Sequence, residues 1–230
     1  MDNKLIKQLF TSALFQHIPA ESLAVMWDCL KPRVQHYSKN SYITVQGTPF
    51  TGLGILLSGE AEVLKETASG SRIVMTNLVQ GDLFGEIIAF SPQNTWPASV
   101  LAHTPCSAVF LDPEKIIGKC ANVCTSQNQL VKNLLVIIST KALMLNRKTE
   151  YLSIKSMRKK IAVYLLEQNK ENKTLTFTLP LKRNQLADFL SVSRTALSRE
   201  LGRMRDDGII EFYRTSVKIL NLPQLQKEAE

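Results

Sequence analysis

Six short runs of strand-forming residues, at 42–45, 54–57, 61–65, 73–77, 99–102 and 107–111, follow one another between Tyr37 and Leu111. Gly47, Gly52, Gly59, Gly70, Gly81 and Gly85 punctuate them. Short strands at such close spacing predict a barrel or sandwich and argue against a parallel α/β sheet, which would need a helix between successive strands. No G-x-G-x-x-G follows a strand, so a dinucleotide site has no support. Ser58 and Gly59 lie between two strand-like runs and predict a hairpin turn. The segment Gly81, Asp82, Leu83, Phe84, Gly85, Glu86 has two readings. It is either a loop whose backbone approaches a ligand, with Glu86 accepting from a ligand hydroxyl, or a sharp corner at a barrel rim with a solvated acid.

Helical patterning surrounds this region. Residues 5–36 read as helical: Leu5, Leu9, Phe10, Leu14 and Phe15 give an apolar face. Pro19 opens a second helix through Leu23, Val25, Met26, Trp27 and Leu30, and Pro32 lies beyond its end. A long helix without a breaker is predicted over 126–148. Leu130, Leu134, Ile137 and Met144 form one stripe, with Lys141 in the missing place; Val131, Leu135, Ile138, Ala142 and Leu145 form a second. One stripe can cover the strand domain, leaving the other for a coiled-coil-like dimer seam, for which Leu130, Leu134, Ile137, Lys141 and Met144 are the expected residues. The alternative is one broad face buried within a single subunit.

From Tyr151 onward the texture changes again. A basic helix over 156–168, a polar turn over 169–173 and a short strand over 175–179 lead to two short helices, 183–190 and one starting at Arg194. Ser191, Val192 and Ser193 form the turn between them. Ser193 is placed to cap the second helix. Leu197, Leu201 and Met204 give that helix a buried stripe. Thr195, Ser198, Arg199 and Gly202 lie opposite, with Arg194 and Arg203 beside them. Such a face suits a DNA major groove, where Arg bonds both acceptors of a guanine edge and hydroxyls reach bases or phosphates. A solvated surface helix is the plainer alternative. After a turn at Asp207 and Gly208, strands over 209–213 and 217–220 form a wing from which Arg214 or Lys218 can touch the sugar-phosphate backbone. The tail from Pro223 reads as charged and frayed.

Charge supports a polyanionic partner. Residues 1–150 hold 13 Lys+Arg and 11 Asp+Glu, a net of +2; residues 151–230 hold 15 and 9, a net of +6. Nucleic acid fits better than a membrane surface, since no amphipathic membrane helix is visible there. No apolar run reaches bilayer length and no signal-peptide core is present, so a cytoplasmic protein is expected. The cysteines, Cys29, Cys106, Cys120 and Cys124, form no paired CxxC set. They are expected to be reduced, with Cys120 and Cys124 a possible metal or redox pair and buried thiols the plainer reading. No Ser-His-Asp set, P-loop or carboxylate pair stands out, and His103 is the single histidine in the strand region, so a cupin-like metalloenzyme is a remote alternative.

The order of these parts resembles the CRP/FNR family of bacterial transcription regulators over residues 15–220. Gly47 with Leu57, Ser58, Gly59, Glu60, Ala61, Glu62 and Val63 is similar to the family's early β-roll signature. The Gly81-to-Glu86 segment is similar to the next one, and Val192 to Arg199 to the start of the recognition helix. The resemblance implies an α+β chain: a sensing β-roll over 1–125, jelly-roll-like and double-stranded; a dimerisation helix over 126–150; and a winged helix-turn-helix over 151–230. It implies a homodimer on palindromic double-stranded DNA, with RNA polymerase as a further partner and no membrane. DNA contacts are expected from Ser193, Arg194, Thr195, Ser198, Arg199, Arg203 and Lys218, with Thr195 standing where a Glu is common. An unknown small effector, with no metal, is expected near Gly85, Glu86, Trp96 and Pro97. Cyclic-nucleotide binders carry an Arg and a Ser or Thr where Trp96 and Pro97 stand here, so a cyclic nucleotide is disfavoured: without a cation nothing offsets desolvation of the phosphate. Haem, nitric-oxide or thiol-redox sensing on the same scaffold is the alternative, with His17, His36 and His103 as the available histidines.

Overall fold

The computed structural model describes residues 3–67, 72–118 and 126–230. Gly70, Cys120 and Cys124 lie outside the described residues. The chain divides into two units, Met1–Thr140 and Lys141–Glu230.

In the first unit, helices α1 (Asn3–Leu9) and α2 (Ala20–Leu30) precede eight strands: β1 (Arg33–Tyr37), β2 (Tyr42–Thr44), β3 (Leu53–Ser58), β4 (Ala61–Glu66), β5 (Arg72–Leu78), β6 (Leu83–Phe84), β7 (Ser99–Ala102) and β8 (Cys106–Leu111). A short helix α3 (Pro113–Ile117) and the long α4 (Gln127–Ser153) follow. The strands form two antiparallel four-stranded sheets, in the orders β1-β8-β3-β6 and β2-β7-β4-β5. This is the predicted β-roll.

Strands β3 and β8 explain why their sequences read as apolar runs instead of alternating. Leu53, Ile55 and Leu57, with Val109 and Leu111, pack against Leu9, Leu14, Phe15, Leu23 and Met26 of the N-terminal helical region. The intervening Leu56, Ala108 and Phe110 face the other way, into a cluster with Ile43, Leu78, Phe84, Trp96 and Val100. A strand covered on both faces needs apolar residues at every position.

Several sequence expectations are corrected here. Ser58 and Gly59 do not make a hairpin, because β3 and β4 belong to different sheets and the chain crosses between them at this point. Gly59 has φ +87, and a Cβ there would lie 2.5 Å from the Pro105 carbonyl oxygen, so only glycine fits this corner. The segment 33–36 is strand, not helix: Lys31 closes α2 in a left-handed conformation and β1 then pairs with β8. The β1 side chains are mostly exposed, which leaves no apolar signature to read. The Gly81-to-Glu86 segment holds a strand, β6, with both residues buried. Cys106 is a buried free thiol, but Cys29 is disulfide-bonded, against the expectation of reduced cysteines.

Helix α4 overturns part of the expected dimer seam. Leu130 and Leu134 are buried in the first unit's own core, with Ile137 half-buried against it. The buried Asn133 sets this orientation, since its Nδ2 donates to the backbone oxygens of Leu14 (2.9 Å) and Gln16 (2.7 Å). Satisfying that amide turns Leu130 and Leu134 inward. Leu135, Val136, Leu143, Met144 and Leu145 stay exposed.

The second unit holds the last turns of α4, α5 (Met157–Asn172), β9 (Thr176–Thr178), α6 (Arg183–Phe189), α7 (Arg194–Asp206), β10 (Ile210–Tyr213), β11 (Ser216–Ile219) and α8 (Leu222–Ala229). Strands β10, β11 and β9 form an antiparallel sheet in that order. Tyr151 is fully buried in this core: its ring meets Phe189 at 5.1 Å and its hydroxyl donates to Glu167. The α4 helix therefore runs past its expected end at residue 148. The tail is not frayed. Asn221 caps α8 by accepting from the Gln224 amide, and Leu225 is buried.

Candidate nucleic-acid interface and effector site

The helix-turn-helix is built by caps on either side of one turn. Gln185 accepts from the Lys182 amide at the start of α6. Ser191 takes a left-handed φ of +54 in the turn. Ser193 then starts α7, its hydroxyl accepting from the Ala196 amide at 3.2 Å. Behind the turn, the buried Lys160 of α5 donates to the Leu190 carbonyl at 3.1 Å, placing a cation at the negative end of α6. Leu197, Leu201 and Met204 pack into the core below.

With the stripe buried, Arg194, Thr195, Ser198 and Arg199 stand exposed along α7. Among the described residues none of these four side chains is hydrogen-bonded or ion-paired. Two other expected contacts are committed elsewhere. The Ser193 hydroxyl is spent on the cap, and Arg203 pairs with Glu200 at 3.1 Å. Lys218 is exposed on β11, across from Glu211.

Sequence reasoning missed Glu200 and Arg158. Glu200 turns inward from α7, and Arg158 of α5 lies 3.4 Å from it, 3.0 Å from Glu228 and in contact with Asp207. This network ties the recognition helix to α5 and α8 and raises the Arg158 pKa, chiefly through the Asp207 hydrogen bond. Glu200 gave a signal, as an acid beside the buried Leu201, but its partner lies 42 residues away. Arg183 was missed too. It is half-buried at the first position of α6, and burial, then the nearby Arg194, hold its pKa below the ordinary value.

In the roll, the four expected effector residues do not form one exposed surface. Trp96 is buried, 4.8 Å from the Phe50 ring and 6.1 Å from Phe84, so it presents no free flat face. Backbone bonds hold it there: its amide donates to Thr48 (2.9 Å) and its carbonyl accepts from Gly47 (2.8 Å). Gly85 meets Trp96 directly. It has φ +81, and a Cβ would lie 2.8 Å from the indole ring. Glu86 is buried and Pro97 exposed. Residues 85–97 contain no Lys or Arg. Elsewhere in the roll His103 pairs with Glu62 at 2.9 Å. Among the described residues no group of three His, Cys, Asp or Glu could hold a metal, and no helix is long and apolar enough to cross a membrane.

Residues 34–122 match the cyclic nucleotide-binding domain family, and residues 159–228 the Crp-like helix-turn-helix domain. The chain is 25% identical over 187 residues to the protein named "Probable transcriptional regulator flp" of Lacticaseibacillus casei, covering 80% of this chain and 82% of that one. It is 20% identical over 208 residues to the "cAMP-activated global transcriptional regulator CRP" of Pasteurella multocida (strain Pm70), covering 89% and 98%. The Thermus thermophilus catabolite activator protein has a similar fold, with a TM-score of 0.54 at 20% identity, over 95% of this chain and 98% of that one. Roll, long helix and helix-turn-helix, in that order and with both domain families matched, make this chain a member of the CRP/FNR family of DNA-binding transcription regulators.

Proposed function

We propose that the chain acts in the cytoplasm as a homodimer on a two-fold symmetric DNA site, and that a small uncharged or aromatic effector in the roll switches it. The observation that carries the DNA reading is the row Arg194, Thr195, Ser198 and Arg199 on α7, exposed and without hydrogen-bond or ion-pair partners among the described residues. Side chains held ready in this way pair with base edges and phosphates in a major groove. The exposed Leu135, Val136, Leu143 and Met144 supply the dimer seam in place of Leu130 and Leu134. Two recognition helices about one DNA turn apart then read a palindrome, and RNA polymerase is the partner at the promoter. Selection from random duplexes tests this. Enrichment of a palindrome whose affinity falls steeply with salt is expected; no enriched sequence overturns it.

A cyclic nucleotide is not the effector in this reading. Trp96 fills the position from which a cation would meet the phosphate, and no Lys or Arg in 85–97 can take that role. Thiol-redox control is a second reading, favoured by the disulfide at Cys29. It requires that reductant change DNA affinity in the native chain and leave Cys29→Ser unchanged.

A further inference from the structure

The hairpin between β10 and β11 carries a side chain where its backbone would favour glycine. Tyr213 pairs with Ser216, so Arg214 and Thr215 alone make the turn. Arg214 sits at φ +54, in the left-handed region where a Cβ is strained. A strained non-glycine residue at a loop tip points to a use for its side chain. That tip is also braced. Arg183 donates to the Arg214 carbonyl at 3.3 Å, and the Leu179 amide donates to the Thr215 carbonyl at 2.8 Å. The exposed end is aromatic and cationic. Tyr213 is 72% exposed, with the Arg214 guanidinium 5.4 Å from its ring centre. Phe212, beneath, lies 5.1 Å from the Arg183 guanidinium and 5.9 Å from that of Arg205. Arg183, which braces the tip, also feels Arg194 at the start of the recognition helix. Arg205 pairs with Asp206, but none of Arg183, Arg194 and Arg214 has a carboxylate partner among the described residues.

We infer that the wing tip is a second DNA-reading site, in which Arg214 enters the minor groove beside the base pairs met by α7 and Tyr213 packs on the sugar edge. The inference rests on the DNA-binding reading above. A narrow A·T-rich minor groove has enhanced negative potential and attracts an inserted arginine. A rigid tip loses little entropy on docking.

The full-length protein would be titrated with its selected operator carrying A·T, G·C or inosine·C flanks at the half-site edges. Inosine·C keeps the hydrogen-bonding groups of G·C in the major groove but lacks the minor-groove amino group. The native chain is expected to bind A·T and inosine·C flanks more tightly than G·C, by roughly tenfold or more. Arg214→Gly suits the left-handed backbone, so it keeps the fold; it should remove the flank preference while preserving selectivity for the operator core. Tyr213→Ala should weaken A·T-flanked binding. Arg214→Gly binding all flanks like the native chain would overturn the inference. Equal weakening on all three would also overturn it, by making Arg214 a phosphate contact. A native chain that selects no operator would instead sink the DNA-binding reading itself.

Discussion

On α7, four polar side chains stand in solvent with no hydrogen-bond or ion-pair partner among the described residues, while in the roll Trp96 is packed against Phe50 and Phe84 and keeps almost no exposed surface. One region is built to receive a polyanion. In the other, the expected effector residue Trp96 is a buried aromatic whose backbone is held at its amide and its carbonyl. The difference lies in what supports each residue. Arg194 and Arg199 ride on a helix whose buried stripe and N-cap fix its orientation, so their side chains are left free. Trp96 is itself part of the core, so it cannot serve as an open binding face without leaving it. Gly85 marks the boundary: its backbone lies so close to the indole that no other residue fits.

The largest effect should come from breaking the packed side of this contrast. Trp96→Ala is expected to destabilise the roll by about 3–5 kcal/mol, as emptying a buried aromatic site does. Urea unfolding followed by probes in each unit should show the loss in the first and little change in the second. A loss below about 1 kcal/mol would mean that Trp96 contributes little to the core.

On the open side, Arg199→Ala should weaken operator binding by about 1–3 kcal/mol and relax base choice at one position. Uniform weakening on all sequences would make Arg199 a phosphate contact. Its thermal stability should not move, because Arg199 has no hydrogen-bond or ion-pair partner among the described residues.

A smaller effect is expected in the core of the second unit, where the Tyr164 ring lies 5.8 Å from that of Phe189. The Tyr164 hydroxyl is buried without a hydrogen-bond partner among the described residues, and burial, with Glu171 and Glu167 near it, pushes its pKa up to about 12. Tyr164→Phe should stabilise the second unit by about 1 kcal/mol by removing that orphan group. The neutral phenol's contribution is complete below the unfolded value near pH 10 and is lost as pH rises toward 12. Denaturation midpoints measured over that range should fall more steeply for the native chain than for Tyr164→Phe. Parallel curves would exclude Tyr164 as the titrating group.

The smallest expected effect is none at all. Under the proposed reading, cyclic AMP at millimolar concentration should leave the melting temperature of the roll unchanged, since residues 85–97 carry no Lys or Arg and Trp96 is packed in the core. A saturable upward shift would show that the nucleotide is held by groups outside residues 85–97.

Periodicity and spacing alone placed six of the eight strands found among the described residues of the roll, both helices of the helix-turn-helix and the residues that cap and line α7. Those features depend on neighbours within a few positions: a stripe every three or four residues, or a hydroxyl just before a helix. Strands β1 and β6 were not legible, one because its side chains are mostly exposed and the other because it is two residues long. Tertiary structure decided what depends on distant partners. Whether Ser58 and Gly59 join one sheet or two depends on which strands lie beside β3 and β4. Which stripe of α4 is free depends on Asn133 reaching the carbonyls of Leu14 and Gln16. Whether Trp96 offers a surface or fills a core depends on Phe50 and Phe84. Sequence fixes which side chains are apolar, charged or able to cap; only the folded packing determines which of their surfaces remain exposed to bind.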